Sequence, residues 1–382
     1  EKFPVKGFLS SMDGPLLVGL TKANIDSMLL IWPDNSFQKI TIPSKDASLT
    51  VTYQKGLPLF DYSSLQKMYV NKSFPIADIT PATGINYVHR ENMFVDFNTE
   101  RLIPHMVSTE GPALAVADVN HDRLDDVFIG SAKDSKSVLY IQQPSGKFIK
   151  TNQPALDKDS AYESVSATWS DINNDGHLDA FSCHDVQPNV YFLNDGWGGF
   201  TFYQSNNPNT PGAILLGIHP NGGNYGSIWI DYDNDGDQDL FIAKCRGGSS
   251  GAKFNELHRN NGDGTFTDVS VDSNLRDPLQ TWSSAWADFD NDGDMDVVVG
   301  ASSFADGSHK FMENNGDGTF TDITAGSGWD TNTSTSIEHI AHDFNNDGFV
   351  DVMGGGSKIM YNLGDGTFVA SSTGFGVAAV GE

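Results

Sequence analysis

The chain has 382 residues, of which 38% are hydrophobic, and this is enough apolar side chain for a large buried core. Its 50 acidic residues outnumber 23 basic ones, so the formal net charge of −27 argues against binding to nucleic acid or to anionic membrane surfaces. Two cysteines, Cys183 and Cys245, are too few for a disulfide framework, and no apolar stretch of about 18 residues predicts a membrane span.

The segment 1–55 predicts a separate small β domain. The β-rich runs 28–32 and 48–53 are interpreted as strands, with turn residues at 33–35 between strands. Residues 56–72 are interpreted as a linker that leads into a repeat array at 73–382. The run 74–80 resembles the last strand of a repeat in that array.

Five copies of the pattern D-x-[DN]-x-D-x-x-x-D organise the rest of the sequence. Their starts are 53, 60, 57 and 55 residues apart, a regularity that chance does not explain. We call them loops 1 to 5, and they occupy residues 118–126, 171–179, 231–239, 288–296 and 343–351.

Short apolar runs flank every loop and predict the strands of a repeating unit. One run precedes the loop, a second follows it, as at 127–130, and a third comes about a dozen residues later, as at 138–141. A glycine turn such as N-G-D-G-T-F at 261–266 then leads to a fourth, and its Asn-Gly and Asp-Gly pairs supply the positive φ of tight hairpins. The predicted fold is therefore all-β: a β-propeller of four-stranded blades, five evident and seven expected, preceded by the small β domain.

The oxygen-rich side chains of the loops predict calcium sites. Ca²⁺ takes about six to eight oxygen ligands at about 2.3–2.6 Å. Side chains at loop positions 1, 3, 5 and 9 converge on one point, position 7 offers its backbone carbonyl, and glycine at position 6 permits the turn. The predicted ligands are Asp118, Asn120, Asp122, Leu124 and Asp126; Asp171, Asn173, Asp175, His177 and Asp179; Asp231, Asp233, Asp235, Asp237 and Asp239; Asp288, Asp290, Asp292, Asp294 and Asp296; and Asp343, Asn345, Asp347, Phe349 and Asp351.

The five sites are not expected to be equal. Loop 1 is expected to be the weakest, because Arg123 replaces glycine at position 6 and brings a cation near the metal. The alternative for each loop is a solvated acidic turn, but crowded carboxylates repel one another without a cation. Magnesium fits less well because it keeps its waters and a smaller octahedral shell. We expect about five Ca²⁺ ions, one per blade, in a structural role.

Six tryptophans allow two interpretations. Packing between blades is the simpler interpretation for the three that lie two residues before a loop, and a stacking surface for sugars is the alternative. These three are Trp169, Trp229 and Trp286. Less regular tryptophans are candidates for loops between strands, where ligand contacts are more plausible, and they are Trp197, Trp282 and Trp329.

Other reactive side chains give weaker indications. His339 and His342 alternate with apolar residues, so at least one is expected to be buried, with a ligand or catalytic role as the alternative. Cys183 and Cys245 lie at similar places in neighbouring repeats and could form a disulfide, although such places on adjacent blades are often too far apart. No catalytic motif or phosphate-binding loop is recognisable, so no catalytic residues are predicted.

The loops, their flanking strands and the D-G-T-F turns resemble FG-GAP and VCBS repeats, the calcium-binding blades also found in integrin α-chain propellers. Residues 7–20 and 29–40 resemble the ASPIC/UnbV module, which often accompanies such repeats in secreted proteins of Bacteroidota and related bacteria. The resemblance implies an exported, extracellular or cell-surface protein. It does not identify a ligand, because fold alone does not fix function.

Three functions remain open at this stage. The leading one is an extracellular, calcium-stabilised binding or adhesion module that recognises a glycan or a surface protein and is not an enzyme. The second is a polysaccharide-active lyase or hydrolase, since some lyases use calcium-containing propellers. The third is a structural subunit that assembles with others in an extracellular filament or envelope.

The sequence also raises the question of further blades. Residues 376–382 resemble the strand before loop 1, and Glu382 falls where Asp118 stands. Because a closed ring leaves no open edges, we expect one to three further blades beyond Glu382. The alternative is a five-bladed ring with 376–382 as a tail.

Overall fold

A computed structural model describes most of the repeat array and part of the first domain. Its described residues form one two-stranded and five four-stranded sheets. Helical structure there consists of one four-residue helix at Thr80–Thr83, which we call α1, and short 3-10 turns. The described residues are 28–32, 35–41, 49–61, 78–91, 93, 95, 112–161, 164, 166–184, 188–204, 214–217, 223–245, 251–304, 307–335, 338–354 and 358–371.

The first domain contains a β-hairpin, whose first strand falls in the predicted run 28–32 and whose second strand was not predicted. Strand β1 (Met28–Ile31) pairs antiparallel with β2 (Phe37–Ile40). Asn35 lies in the turn with a φ of +57°, and its N–H donates to the carbonyl of Trp32 at 2.9 Å. Asparagine tolerates this left-handed conformation better than most residues, which explains the turn.

The second predicted strand of this domain, 48–53, is wrong for its described part. Residues 49–53 lie outside any strand. The Tyr53 ring instead packs edge-on against Trp32, with centroids 5.3 Å apart, so this run contributes side-chain packing and not a hydrogen-bonded ladder. The carbonyl of Pro58 accepts a hydrogen bond from the Phe37 N–H at 2.8 Å, which places the start of the predicted linker against the hairpin.

The strand predicted at 74–80 is also wrong where it is described. Helix α1 (Thr80–Thr83) begins inside it, and the Asp78 carboxylate accepts a hydrogen bond from the Thr80 N–H at 2.9 Å. Pro81 has no N–H to offer to a strand ladder and fits the first turn of a helix. Residues 74–77 lie outside the described residues.

Each four-stranded sheet is an antiparallel meander in which strands adjacent in the chain are adjacent in the sheet. An Asp loop joins the first two strands, and a tight turn joins the last two, as predicted. We number these sheets blades 1 to 5. Blade 1 contains β3 to β6 (Leu114–Ala117, Asp126–Ile129, Val138–Gln142, Phe148–Lys150); blade 2, β7 to β10 (Ser166–Ser170, Asp179–Cys183, Val190–Asn194, Phe200–Gln204); blade 3, β11 to β14 (Asn224–Ile230, Asp239–Lys244, Glu256–Asn260, Phe266–Asp268); blade 4, β15 to β18 (Ser284–Ala287, Asp296–Val299, Lys310–Asn314, Phe320–Asp322); and blade 5, β19 to β22 (His339–His342, Asp351–Gly354, Lys358–Asn362, Phe368–Ala370).

The core lies between neighbouring blades, and tryptophan fills it. Trp169 packs edge-on against Phe128 of blade 1, with ring centroids 5.9 Å apart. The same contact joins Trp229 of blade 3 to blade 2 and Trp286 of blade 4 to blade 3, at 5.7 and 5.4 Å. All three rings are buried, so the predicted packing between blades is confirmed. Such aromatic pairs contribute about 0.5–1.5 kcal/mol beyond their buried area.

All three tryptophans expected on loops between strands lie there, but they differ in burial. Trp282 and Trp329 are buried, so the suggested ligand contact is wrong for both. Trp282 stacks on Tyr225 with centroids 4.5 Å apart, and Trp329 packs edge-on against Phe368 at 5.8 Å. Trp197 is 84% exposed in the turn between β9 and β10.

The possible disulfide is not formed, because Cys183 and Cys245 are buried thiols that face different neighbours. The Cys245 Sγ lies 3.4 Å from the Ser302 hydroxyl beyond the second strand of blade 4. Cys183 lies instead in the core between blades 2 and 3, where burial raises its pKa to about 12.

The all-β fold with four-stranded propeller blades is confirmed. Residues 376–382, on which the expectation of further blades rests, lie outside the described residues. Within the part of the chain that is described, no helix has the length and apolar character needed to cross a bilayer.

Candidate metal centres

All five loops share one hydrogen-bond pattern, built on the acid at position 1. In loop 4 the N–H groups of Asp292 and Gly293 donate to the two oxygens of Asp288, both at 3.0 Å. The N–H of position 7 then donates to the position 5 acid at 2.9 Å in each loop. The other position 1 acids accept the same pair of bonds at 2.7–3.1 Å, and they are Asp118, Asp171, Asp231 and Asp343.

The position 9 acid is the buried anchor of each loop. In loop 4 Asp296 accepts hydrogen bonds from the N–H groups of Phe289, at 3.0 Å, and Asn314, at 2.8 Å. Burial raises the pKa of these acids, and backbone hydrogen bonds only partly offset it. The pKa rises to about 8 for Asp179, Asp239 and Asp296, and to about 6 for Asp126 and Asp351. A nearby cation would favour the charged form of each carboxyl group.

Two left-handed residues form the bend of every loop. The glycines at position 6 of loops 2 to 5 have φ between +88° and +104°, and Arg123 in loop 1 has φ of +71°. The expectation that Arg123 occupies a glycine conformation is therefore confirmed. Position 4 is left-handed too, which the sequence analysis did not use: it is Asn in loops 2 to 5 and His121 in loop 1.

The donor set of loops 3 and 4 fits a calcium ion. One oxygen from each of the acids at positions 1, 3 and 9 lies within 4.8 Å of the others in both loops. The Oδ1 atom of Asp233 is buried and has no hydrogen-bond partner, which is expensive unless a cation binds there. Loops 1, 2 and 5 have Asn at position 3, whose amide oxygen is also a hard ligand. The ligands predicted at positions 5 and 7 stay predictions.

The loops are joined by an asparagine that the sequence analysis missed. Asn314, at the end of β17, donates to the carbonyl of Tyr232 in loop 3 at 2.8 Å and to Met295 in loop 4 at 3.1 Å. Asn194 reaches loop 1 and Asn362 reaches loop 4 through equivalent bonds at 2.8 and 2.7 Å. Each residue precedes the glycine turn, so the repeated N-x-G at 194–196, 260–262, 314–316 and 362–364 was the signal.

Two further contacts reach the loops from outside their own blades. The Asn35 side chain of the first domain donates to Asn291 Oδ1 of loop 4 at 2.8 Å and to the Gly348 carbonyl of loop 5. His121 of loop 1 and His177 of loop 2 share a hydrogen bond of 2.8 Å between their rings. Neither contact was predictable, because the partners are far apart in the sequence.

The two histidines of blade 5 considered for a ligand or catalytic role pack among other side chains of the protein. His339 is buried, which confirms that at least one of the two lies inside. Its Nδ1 lies 3.1 Å from the Ser283 hydroxyl, and burial together with His309 lowers its pKa to about 3. His342 is partly buried and packs edge-on against Phe344 with centroids 5.2 Å apart.

Comparison with solved structures found distant likenesses, among them a lectin and a lyase, and no curated protein matched. The chain is similar to a lectin of Agrocybe aegerita described as recognising non-reducing terminal N-acetylglucosamine, with 22% identity and a TM-score of 0.43 over 69% of this chain and 66% of the lectin. It is also similar to a rhamnogalacturonan lyase of Bacillus licheniformis, with 14% identity and a TM-score of 0.40 over 69% of this chain and 47% of the lyase. The chain thus spans less than two thirds of each, and likeness this distant supports no inference about function.

Comparison with protein families gave specific matches. Residues 118–182, 171–242 and 231–299 each match the FG-GAP-like repeat. Residues 1–58 match the ASPIC and UnbV family, which agrees with the hairpin at 28–40 and the residues packed on it. The chain therefore carries an ASPIC and UnbV domain followed by FG-GAP-like repeats that fold as β-propeller blades.

Proposed function

We propose that this chain is a calcium-stabilised, non-catalytic binding module that acts outside the cell and recognises a glycan or a surface protein. The calcium part rests on two observations: the Oδ1 atom of Asp233 is buried and unpartnered, and one carboxylate oxygen of Asp233 lies within 4.8 Å of oxygens from Asp231 and Asp239. A cation there would hold together the two strands that the loop connects. The role of the metal is therefore to stabilise the blade.

The proposed binding surface is the turn between β9 and β10. Trp197 is 84% exposed there and stands where the equivalent turns of blades 3 to 5 have the Asp of G-D-G-T-F. The turn does not need the ring, because the Asp195 carboxylate accepts hydrogen bonds from the N–H groups of Trp197 and Gly199, both at 2.9 Å. A large exposed aromatic residue with no role in folding is available for a ligand.

The surroundings of Trp197 add polar groups to this aromatic face. Gly196 lies against the His177 ring of loop 2, and a Cβ built on Gly198 would lie 4.0 Å from the Asn120 Cβ of loop 1. The Gln153 side chain donates to the Gly198 carbonyl at 2.9 Å. An indole face beside histidine and carboxamide groups suits a sugar, which stacks its C–H face and hydrogen-bonds through its hydroxyls.

A glycan array and a screen of surface proteins, both with calcium present, test the proposal. The informative variant is Trp197→Asp, which restores the residue of the other turns and should abolish binding without changing the melting temperature. Leu363→Asp, an exposed apolar residue in the equivalent turn of blade 5, is the matched control and should bind normally. Unchanged binding by Trp197→Asp would refute the site, and breakdown of a polysaccharide by the wild-type chain would refute the non-catalytic assignment.

A further inference from the structure

A buried lysine lies between two strands of blade 3, away from the calcium loops. Lys244 ends β12 and is directly opposite Asn224, the first residue of β11. The Lys244 side chain is completely buried, and Glu256 at the start of β13 is 2% exposed. The lysine Nζ lies 2.9 Å from Glu256 Oε1 and 2.5 Å from Asn224 Oδ1. An amine, a carboxamide and a carboxyl group therefore meet in a site shielded from water.

Hydrogen bonds fix the orientation of the amine and the amide. Asn224 Nδ2 donates to the carbonyl of His184 at 3.0 Å, so its oxygen and not its nitrogen must face the lysine. The Lys244 N–H donates to Asn255 Oδ1, and its carbonyl accepts from the Thr281 N–H, both at 2.8 Å. The amine is thus held beside the carboxamide carbon to which Oδ1 is bonded. Such positioning replaces a bimolecular encounter with an intramolecular one.

We propose that Lys244 and Asn224 join in an intramolecular isopeptide bond. Nζ transfers a proton to Glu256 Oε1 and attacks Cγ of Asn224, forming a new C–N bond. Glu256 passes that proton to Nδ2 and takes up the second proton that Nζ loses, and the Cγ–Nδ2 bond breaks so that Nδ2 leaves as ammonia. The Lys244 ammonium, the Glu256 carboxylate and the Asn224 carboxamide thus become one secondary amide, one neutral Glu256 carboxylic acid and one ammonia molecule, so atoms and charge balance and no oxidant or cofactor is required.

Among the described residues that contact the Lys244 amine, Glu256 is the one whose carboxylate can accept its proton. Burial tends to raise the pKa of Glu256, but Lys244 and His258 bring it down to about 2, so the unreacted pair rests as an ion pair. Proton transfer within the pair gives a neutral amine, which is the nucleophilic form. His258 Nε2 lies 3.0 Å from Glu256 Oε2 and acts as a positioning residue.

The bond would change how blade 3 responds to loss of metal. Residues 224 and 244 bracket loop 3, so the link closes a covalent ring around residues 231–239. Strands β11 and β12 would then stay joined when the cation leaves. This consequence is independent of any ligand at Trp197.

Mass spectrometry of the wild-type chain tests the proposal without any variant. The intact mass should be lower by one ammonia. A protease that cuts beside aspartate cleaves several times between residues 224 and 244, so a linked chain yields a branched product containing both residues. Trypsin should cut after Arg246 but not after Lys244, because the acylated lysine is no longer recognised. Recovery of separate, unmodified fragments carrying Asn224 and Lys244 would overturn the proposal.

Variants distinguish this link from other losses of ammonia, such as cyclisation at Asn-Gly sequences. Asn224→Ala should restore the unmodified mass of its own sequence and tryptic cleavage after residue 244. Glu256→Gln keeps both reacting residues but removes the proton acceptor, so it should remain unlinked, while Glu256→Asp should link slowly. Circular dichroism shows whether each variant is folded. Retention of the branched product in Asn224→Ala would refute the assignment.

Discussion

Loops 1 and 4 fold alike although they differ where the turn is tightest. The position 1 acid accepts hydrogen bonds of 3.1 and 2.7 Å in loop 1, and of 3.0 and 3.0 Å in loop 4. Position 6 is nevertheless Arg123 in the first loop, with φ of +71°, and Gly293 in the second, with φ of +104°. The aspartates therefore specify the turn, and glycine only reduces its conformational cost.

The two loops differ more in electrostatics than in shape. Position 3 is Asn120 in loop 1 and Asp290 in loop 4, so loop 4 gathers one more carboxylate at its centre. Burial raises the pKa of Asp126 to about 6 in loop 1 but that of Asp296 to about 8 in loop 4. Loop 4 thus depends more on a cation than loop 1, and this difference can be measured.

Removal of calcium is expected to have the largest effect. Binding to the native state alone contributes about 2.7 kcal/mol per site when calcium exceeds the Kd a hundredfold. Excess chelator should therefore lower the melting temperature by about 10 °C or more when several sites are filled. Differential scanning calorimetry with calcium, and with magnesium as the control ion, measures this. An unchanged transition in chelator would contradict occupied structural sites.

Single-site variants compare the two loops directly. Asp292→Ala in loop 4 should remove one bound calcium and about 3 kcal/mol of stability, whereas the equivalent Asp122→Ala in loop 1 should remove about 1 kcal/mol. Both acids accept the same backbone bond at 2.9 Å, so the difference reports on the metal. Native mass spectrometry counts the ions, and chemical denaturation gives the free energy of unfolding. Equal losses would show that loop 1 is not the weaker site.

The pH dependence of stability should reverse with calcium. Burial raises the pKa of Asp296 to about 8, above its ordinary value of 3.8, so in chelator its protonated form favours folding below pH 4 and this contribution is lost as the pH rises through 8. The chelated protein should therefore melt at higher temperature at pH 5 than at pH 8. With calcium, protons compete with the ion and acid should destabilise. Thermal melts across this range, repeated for Asp296→Asn, test the sign, and parallel profiles with and without calcium would contradict it.

The smallest expected effect comes from the strained residue of loop 1. Arg123→Gly should stabilise the chain by about 1 kcal/mol, because glycine adopts positive φ without a steric penalty. Arg123→Gln removes the positive charge of the side chain but keeps a non-glycine residue in the left-handed backbone conformation. It therefore separates the effect of charge from the effect of backbone strain. Calcium titration of both variants by calorimetry should show tighter binding for each, whereas stability measured in chelator should rise only for Arg123→Gly. A stability loss in Arg123→Gly would place the Arg123 side chain in a stabilising contact.

The repeated parts of the fold were predictable because each repeat carries its own local signals. The Asp loops and their apolar flanks correctly located the first two strands of all five blades, and the glycine turns correctly located the last strands of blades 3 to 5. The errors at 48–53 and 74–80 arose where pairing depends on tertiary context: β1 takes β2 as its partner, and Pro81 favours a helical turn. Burial of Trp282 was equally invisible, since Tyr225 lies far away in sequence.

The same contrast between local signals and long-range contacts applies to the candidate sites. Acids at fixed spacing within nine residues could be read as one centre, whereas the Asn35 contact with loops 4 and 5 joins separate domains. The Lys244–Glu256 pair was missed because charged residues are normally expected at the surface, and nothing in their spacing of 12 residues predicts a shared buried site.

We expect the asparagine between neighbouring loops to make calcium binding cooperative. A continuous path runs from Asp239 to the Tyr232 N–H, from the Tyr232 carbonyl to Asn314, and from the Asn314 N–H to Asp296. An ion that orders loop 3 therefore also orders a donor of loop 4, so the second ion binds to a loop that is already partly arranged. Calcium titration curves should be steeper than independent sites allow, and Asn314→Leu should flatten them while leaving every calcium ligand in place.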